Sequence, residues 1–166
     1  VIVIAPTRAA CETIELALGL KIETLLEREH GDDIRRLAAA KGGGFGIVAG
    51  TGTGKTLAIR SIAETILKAP LKVGVVNRER EATPETPTWN VVIITTGIAR
   101  RWFQDGLITA QDTLVVDEIH QTSAEMELCL ARGKRARCRF IWLSATVDPA
   151  FYEEYLDSAE VLEDRA

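Results

Sequence analysis

A glycine-rich loop with a single lysine, GTGTGKT at residues 50–56, lies between an apolar run and an amphipathic one. Its glycines would let backbone N–H groups turn inward around an anion, and the start of a following helix would add partial positive charge. Lys55 would then reach the terminal phosphates of a nucleotide, while the Thr56 hydroxyl would bind Mg²⁺. A flexible glycine turn with an incidental lysine is the alternative. The predicted nucleotide-binding residues are Gly50, Thr51, Gly52, Thr53, Gly54, Lys55 and Thr56.

Two acidic residues, Asp117 and Glu118, close another apolar run, TLVVD at 113–117. Burying acids beside such a run is costly unless a cation meets them. The carboxyl ends of parallel strands open onto one crevice, so Asp117 would bind the Mg²⁺ that accompanies a nucleotide. Glu118 would orient or deprotonate the water that attacks the terminal phosphate. The alternative is that both acids cap a helix that starts near Ile119.

Short apolar runs rich in β-branched residues alternate with helical patterns along the chain. Runs of this kind are typical of strands buried on both faces. The pattern predicts an α/β fold, with a mostly parallel sheet and helices on both of its faces. The segment 77–90 is polar and contains two prolines, which favours a loop. The predicted strands are residues 45–49, 73–76, 91–95, 113–117 and 139–144, and the clearest helix is 55–69.

The first part of the chain has a helical pattern from residue 7 to residue 41, with Thr7 as a candidate N-cap. Within it, GDDIRRLAAAK at 31–41 is predicted to be a second helix, which ends at three consecutive glycines, 42–44. We therefore expect a helical lead-in over residues 1–44 and a nucleotide-binding domain over residues 45–166.

Composition indicates one soluble domain of 166 residues, with 46% hydrophobic and 27% charged residues. No apolar run is long enough to span a membrane, and the opening VIVIA lacks the basic leader of a signal peptide, which predicts a cytoplasmic protein. The net charge of −4 argues against nucleic-acid binding through bulk positive charge, but not against a local patch. The basic run at 132–139 is expected to be solvated surface on the side opposite the ligand crevice.

The motifs together resemble the DExH-type helicases of superfamily two, within them the DEAH-box group in a DEIH version. The resemblance rests on four motifs in the family's order, followed by DPAFYEEYL, and it covers residues 45–160. It implies a RecA-like motor domain that hydrolyses ATP or another NTP with Mg²⁺ to translocate along or unwind nucleic acid. The four motifs are AGTGTGKT at 49–56, TTGIARR at 95–101, DEIH at 117–120 and SAT at 144–146.

The resemblance also implies roles for individual residues. Asp117 and Thr56 would hold Mg²⁺, Glu118 would be the general base, and His120 would link the nucleotide site to the rest of the motor. Read without the family, His120 would be a surface histidine at a helix start, and SAT a strand-to-loop turn. In the family, SAT couples hydrolysis to movement, which here assigns Ser144, Ala145 and Thr146.

The same resemblance implies contacts with the phosphate backbone of single-stranded RNA or DNA. Arg78 is the weaker match, because a short polar loop stands where the family has a helix. IAPTRAA at 4–10 is similar to an arginine-bearing motif of DEAD-box relatives but precedes the phosphate loop, and we favour a proline turn and a capped helix for it. The implied nucleic-acid contacts are Thr95, Thr96, Gly97, Arg100 and Arg78.

A motor of this kind needs a second RecA-like domain, which supplies arginines to the transferred phosphoryl group. The chain stops near the point where that domain would begin, so we expect a first motor domain that is nearly inactive alone. Two other classes remain open: the motor subunit of a DNA-translocating restriction or nuclease complex, and a stand-alone phosphate-loop switch or kinase. No glutamine precedes the loop, so the adenine-reading glutamine of DEAD-box proteins has no counterpart, which is compatible with loose NTP selectivity.

Overall fold

The computed structural model describes residues 1–20, 23–40, 43–50, 53–76, 88–119, 123–145 and 149–164. Within them the chain forms seven strands and six helices. The strands are β1 Ile2–Ala5, β2 Phe45–Val48, β3 Val73–Val76, β4 Val91–Thr95, β5 Thr113–Val116, β6 Arg139–Ser144 and β7 Glu160–Glu163. The helices are α1 Arg8–Leu18, α2 Leu25–Ala39, α3 Lys55–Leu67, α4 Thr96–Gln104, α5 Ala124–Arg135 and α6 Pro149–Tyr155.

The seven strands form one sheet in the order β3-β4-β1-β5-β6-β2-β7, and every described pairing is parallel. Helices α1, α2 and α3 pack on one face, around residues such as Ile14, Ile34 and Ile59. Helices α4, α5 and α6 pack on the other face, where Trp142 is the largest buried side chain. The predicted α/β fold with helices on both faces is confirmed. Because the strands run in the same direction, their carboxyl ends all lie at one edge of the sheet.

The first strand, β1, lies in the interior of the sheet between β4 and β5. Val3 and Ala5 face one core and Ile2 and Ile4 face the other, which is the alternation of a strand covered on both sides. The expectation of a helical lead-in over residues 1–44 is wrong for these residues, because their backbone pairs with β4 and β5 and their side chains alternate between the two cores.

The prediction of helical structure within residues 7–41, with a second helix in its later part, is confirmed by α1 and α2. Thr7 is the N-cap of α1, since its hydroxyl accepts a hydrogen bond from the Ala10 N–H at 3.1 Å. Thr24 caps α2 in the same way. The predicted loop at 77–90 lies outside the described residues except for its last three positions. None of the helices in the described part of the chain is long and apolar enough to cross a bilayer.

A glycine in β2, the strand before the phosphate loop, makes room for the largest core side chain. Gly46 pairs with Trp142 of β6, and a Cβ added at Gly46 would overlap the indole ring. The ring cannot withdraw easily, because its Nε1 donates to Ser158 Oγ at 2.9 Å and it packs on Tyr152. The close approach of ring and backbone therefore fixes β2 against β6.

Replacing this glycine is expected to destabilise the protein. Gly46→Ala should lower the free energy of unfolding by about 1–3 kcal/mol, the usual cost of overpacking a core. The measurement is the midpoint of urea unfolding. Gly19→Ala is the matched control, because Gly19 has a φ of −84° and an added Cβ would make only ordinary contacts. Equal midpoints for Gly46→Ala and the wild type would contradict the packing described here.

Candidate nucleotide site and arginine cleft

The phosphate loop joins the end of β2 to the start of α3, as the sequence predicts. Gly54 has a φ of +95°, a left-handed conformation that favours glycine, and a side chain there would overlap Thr24 at the start of α2. The Leu26 N–H donates to the Thr53 carbonyl at 3.2 Å. The start of α2 therefore supports the loop from outside. Thr51 and Gly52 lie outside the described residues.

Lys55 is the first residue of α3 and is almost completely buried, with 6% of its surface exposed. Its ammonium group donates to the Gly50 carbonyl at 3.2 Å, which keeps it inside the loop. A buried ammonium group beside a backbone carbonyl is a strong partner for an anion, because little water competes for it.

The helix that starts at Lys55 and the strand that ends before Asp117 meet at one crevice. The Thr56 hydroxyl donates to Asp117 Oδ2 at 3.4 Å, although β6 separates β2 from β5 in the sheet. Burial raises the pKa of Asp117, and the positive charge of Lys55 is close enough to offset part of that rise. The structure thus brings Thr56, Lys55 and Asp117 together at the carboxyl edge of the sheet.

Asp117 is a buried acid with an incomplete set of partners. Burial, and then repulsion from Glu118, raises the pKa of Asp117 to about 6. Its Oδ1 is buried and has no hydrogen-bond partner among the described residues. A buried carboxylate oxygen in this condition is costly unless a cation or donor reaches it. Together with the Thr56 hydroxyl, it offers the oxygen ligands that Mg²⁺ prefers, so these residues fit a magnesium ion.

Glu118 follows in a tight turn rather than in a helix. Its φ is +55°, which is uncommon for a side chain of this size and costs about 1 kcal/mol or more. The turn is held from two sides, because the Ile119 N–H donates to the Leu143 carbonyl at 3.1 Å and the Tyr152 hydroxyl donates to the Ile119 carbonyl at 3.4 Å. These two contacts hold the turn in a backbone conformation that is uncommon for glutamate.

The next helix, α5, begins at Ala124, and its N-cap is Ser123, whose hydroxyl accepts from the Met126 N–H at 3.1 Å. Among the residues described here, the helix that follows the acidic turn is thus capped by Ser123 and not by Asp117 or Glu118. His120, between the turn and this helix, lies outside the described residues.

The end of β6 connects the two halves of the site. Ser144 is completely buried, and its carbonyl accepts from the Ala49 N–H at 3.0 Å, at the start of the phosphate loop. The preceding carbonyl, of Leu143, holds the acidic turn. The end of β6 therefore contacts both the phosphate loop and the turn at Glu118. Ala145 is half-buried, and Thr146 lies outside the described residues.

Comparison with known proteins supports the fold. No protein-family model matches this chain, and no curated protein matches it significantly. Among solved structures, the chain is similar to the Escherichia coli DEAH/RHA helicase HrpB, with a TM-score of 0.57 and 20% identity over 87% of this chain. It is also similar to a DNA replication initiation factor, with a TM-score of 0.52 and 12% identity over 88% of this chain. The chain has a P-loop NTPase fold.

The chain spans only part of these structures, 22% of the helicase and 48% of the initiation factor. The shared part is the fold, and the predicted RecA-like P-loop NTPase architecture is confirmed by it. The identities are too low to carry function from either protein to this one.

Beside the nucleotide site of this P-loop NTPase fold lies a second cleft, of about 800 Å³. It opens where β1 and β4 end, at the same edge of the sheet and next to β5. Four arginines line it, and we call it the arginine cleft. Its lining includes Pro6, Thr7, Arg8, Thr95, Thr96, Gly97, Arg100, Arg101, Glu125 and Arg132.

The predicted TTG residues form one wall of the arginine cleft. Thr95 precedes α4 in an extended conformation and its side chain makes no capping hydrogen bond, while Thr96 is buried. A Cβ added at Gly97 would meet nothing within 4 Å, so the first turn of α4 is open to a ligand. Arg100 is exposed one turn further along. Arg78 lies outside the described residues.

Of the four arginines of this cleft, the sequence assigned a nucleic-acid contact only to Arg100, and Arg101, the next residue of the same motif, was not assigned one. Arg8 belongs to IAPTRAA, where the favoured turn and capped helix are both present, yet the arginine also lines the cleft. Arg132 belongs to the basic run at 132–139, which was expected to be solvated surface on the opposite side. Arg132 is exposed, as expected, but it lines the arginine cleft instead of lying on the opposite side. Arg139 is only partly exposed, because it donates to the Leu37 and Ala38 carbonyls at the end of α2.

Proposed function

We propose that this chain is the nucleotide-hydrolysing domain of a nucleic-acid-dependent motor of the helicase kind. The proposal rests on the meeting of the phosphate loop with Asp117, whose buried Oδ1 lacks a partner among the described residues and lies beside the Thr56 hydroxyl. ATP, or another NTP, is the expected nucleotide, and Mg²⁺ is the expected metal. When bound, Mg²⁺ neutralises negative charge on the transferred phosphoryl group.

The residues of the site have distinct tasks in this proposal. Lys55 binds the terminal phosphates, and Asp117 must be deprotonated to act as a metal ligand together with Thr56. Glu118 accepts the proton of the attacking water, a task that needs a carboxylate held apart from the metal ligand. The left-handed backbone conformation at Glu118 is the feature that would hold its carboxylate apart from that of Asp117.

Nucleic acid is the proposed partner because of the arginine cleft. Its four arginines and the open start of α4 suit phosphate groups, although the whole chain has a net charge of −4. Hydroxyls, backbone N–H groups and arginines bind phosphates without reading bases, so single-stranded RNA or DNA of any sequence would serve. Arg8 would supply the contact that the sequence assigned to Arg78. A second RecA-like domain in cis would complete the motor.

The test is nucleotide turnover in a protein that carries this chain together with a second RecA-like domain. Single-stranded RNA or DNA is expected to stimulate turnover, and Glu118→Gln should lower it by roughly 100- to 10,000-fold, as expected for loss of a general base. Turnover indifferent to both nucleic acids would overturn the proposal in favour of a phosphate-loop switch. Stimulation by duplex DNA without strand separation would assign the chain to a DNA-translocating complex instead.

A further inference from the structure

We infer that Glu125 is an internal competitor for phosphate in the arginine cleft, so that nucleic acid must displace its carboxylate in order to bind. Glu125 lies in the first turn of α5, and it is the one acid among the cleft-lining residues that the structure describes. The inference rests on the proposed function, because it concerns the same cleft.

The contacts of Glu125 are those that a phosphate group would make. Its Oε2 accepts a hydrogen bond from the Thr96 hydroxyl at 3.1 Å, and its Oε1 lies 3.9 Å from Arg100 Nη2. Both partners belong to α4, and both are residues that the TTG motif presents to nucleic acid. The carboxylate therefore neutralises the wall of the cleft that a ligand would approach.

These contacts are weak enough to be exchanged. About half of each side chain is exposed, 52% for Arg100 and 49% for Glu125, and an exposed ion pair of this length contributes little to stability. A nucleic-acid phosphate could approach Arg100 bidentately and would also meet Arg8, Arg101 and Arg132. After release, the carboxylate would remain stabilised by the N-terminus of its own helix.

The contacts of Glu125 are not the only ones between α4 and α5. A second contact ties the helices together one turn later, where the Cys129 thiol donates to the Thr96 carbonyl at 3.4 Å. Burial, and then the charge of Glu125, raises the pKa of Cys129 to about 11, which keeps this thiol protonated and able to donate. When the Glu125 carboxylate leaves Thr96 and Arg100, α4 and α5 therefore stay joined through Cys129, and only the charged contact changes.

The test is the affinity of the protein for a fluorescein-labelled oligothymidylate and oligouridylate, measured by anisotropy. Glu125→Gln keeps a hydrogen-bond acceptor and loses the charge, and it is expected to bind roughly three- to tenfold more tightly than the wild type. Glu125→Ala should change affinity in the same direction, so a folding defect in one variant still leaves a test. Glu127→Gln is the matched control, because it removes the same charge from the same helix turn outside the cleft.

The outcomes separate the inference from the proposed function. Equal affinities for Glu125→Gln, Glu127→Gln and the wild type would overturn the inference and leave nucleic-acid binding intact. Weaker binding by both Glu125 variants would also overturn it, because it would make Glu125 a support of the site. Absence of binding by every protein, including Glu125→Gln, would overturn the proposed nucleic-acid function itself.

Discussion

Asp117→Asn is expected to make the protein more stable at neutral pH while abolishing its Mg²⁺-dependent affinity for ATP. Asp117 is buried as a carboxylate whose Oδ1 has no hydrogen-bond partner among the described residues, and its pKa is raised from 3.8 to about 6. The raised pKa corresponds to about 3 kcal/mol of unfavourable free energy for the charged form. Asparagine removes this charge, and the expected gain is about 1–3 kcal/mol because an unpaired amide retains part of the cost.

The pH dependence has a definite sign. The folded protein holds the Asp117 proton more tightly than the unfolded chain does, so this group lowers stability as the pH rises from about 4 to about 6, and the loss persists above pH 6. Urea unfolding of the wild type and Asp117→Asn between pH 4 and pH 8 measures this difference, which should be small at pH 4 and largest at pH 8. A variant less stable than the wild type at pH 8 would contradict the description of Asp117 as an uncompensated buried charge.

Lys55→Ala is expected to weaken binding of Mg²⁺-ATP by roughly 10- to 150-fold, the value of one or two charge-assisted hydrogen bonds to phosphate. The effect is large because the ammonium group is buried inside the loop, where water cannot replace it. Isothermal titration calorimetry of ATP into the protein with Mg²⁺ present measures the change.

The matched control for this substitution is Lys72→Ala, which removes the same charge from an exposed position before β3. Its affinity for Mg²⁺-ATP should equal that of the wild type. If the two lysine variants bind Mg²⁺-ATP with the same affinity, Lys55 does not contact phosphate and the nucleotide site proposed for this loop is wrong.

The phosphate loop and the acidic turn could be predicted because their chemistry is local. A short loop of glycines, a lysine and a threonine between a strand and a helix has few functions other than binding phosphate. Acids that end a buried apolar run need a cation nearby. The contact between Thr56 and Asp117 followed from the rule that parallel strands end at one edge. The strained backbone at Glu118 could not be predicted from residue spacing. It depends on the contacts that Leu143 of β6 and Tyr152 of α6 make with Ile119.

The first strand was missed for a physical reason. A four-residue apolar run carries no helix or turn signal that distinguishes a central strand from a short lead-in, and the order of strands in a sheet is set by packing rather than by position in the chain. β1 precedes the phosphate loop in sequence yet lies between β4 and β5. The last strand, β7, was missed because EVLE is only partly buried and has a weak pattern.

The arginine cleft was only half predictable. The TTG segment points to a phosphate contact on its own, but Arg8, Arg100 and Arg132 come from three distant segments that meet only when β1 lies beside β4. The sequence reading of IAPTRAA as a proline turn with a capped helix is correct as a description of the backbone. Arg8 lines the cleft because β1 lies beside β4, and the local sequence carries no information about that strand order.

The central claim is that Thr56 and Asp117 share one metal ion with a nucleotide held by the phosphate loop. A crystal structure of the protein with Mn²⁺ and a non-hydrolysable ATP analogue tests it most directly, since Mn²⁺ can be located by its anomalous scattering. We predict a Mn²⁺ peak between Thr56 Oγ1 and the carboxylate of Asp117, bonded to the hydroxyl at about 2.1 Å as an octahedral ion would be. A nucleotide bound elsewhere, or a Mn²⁺ ion with neither residue near it, would contradict the account.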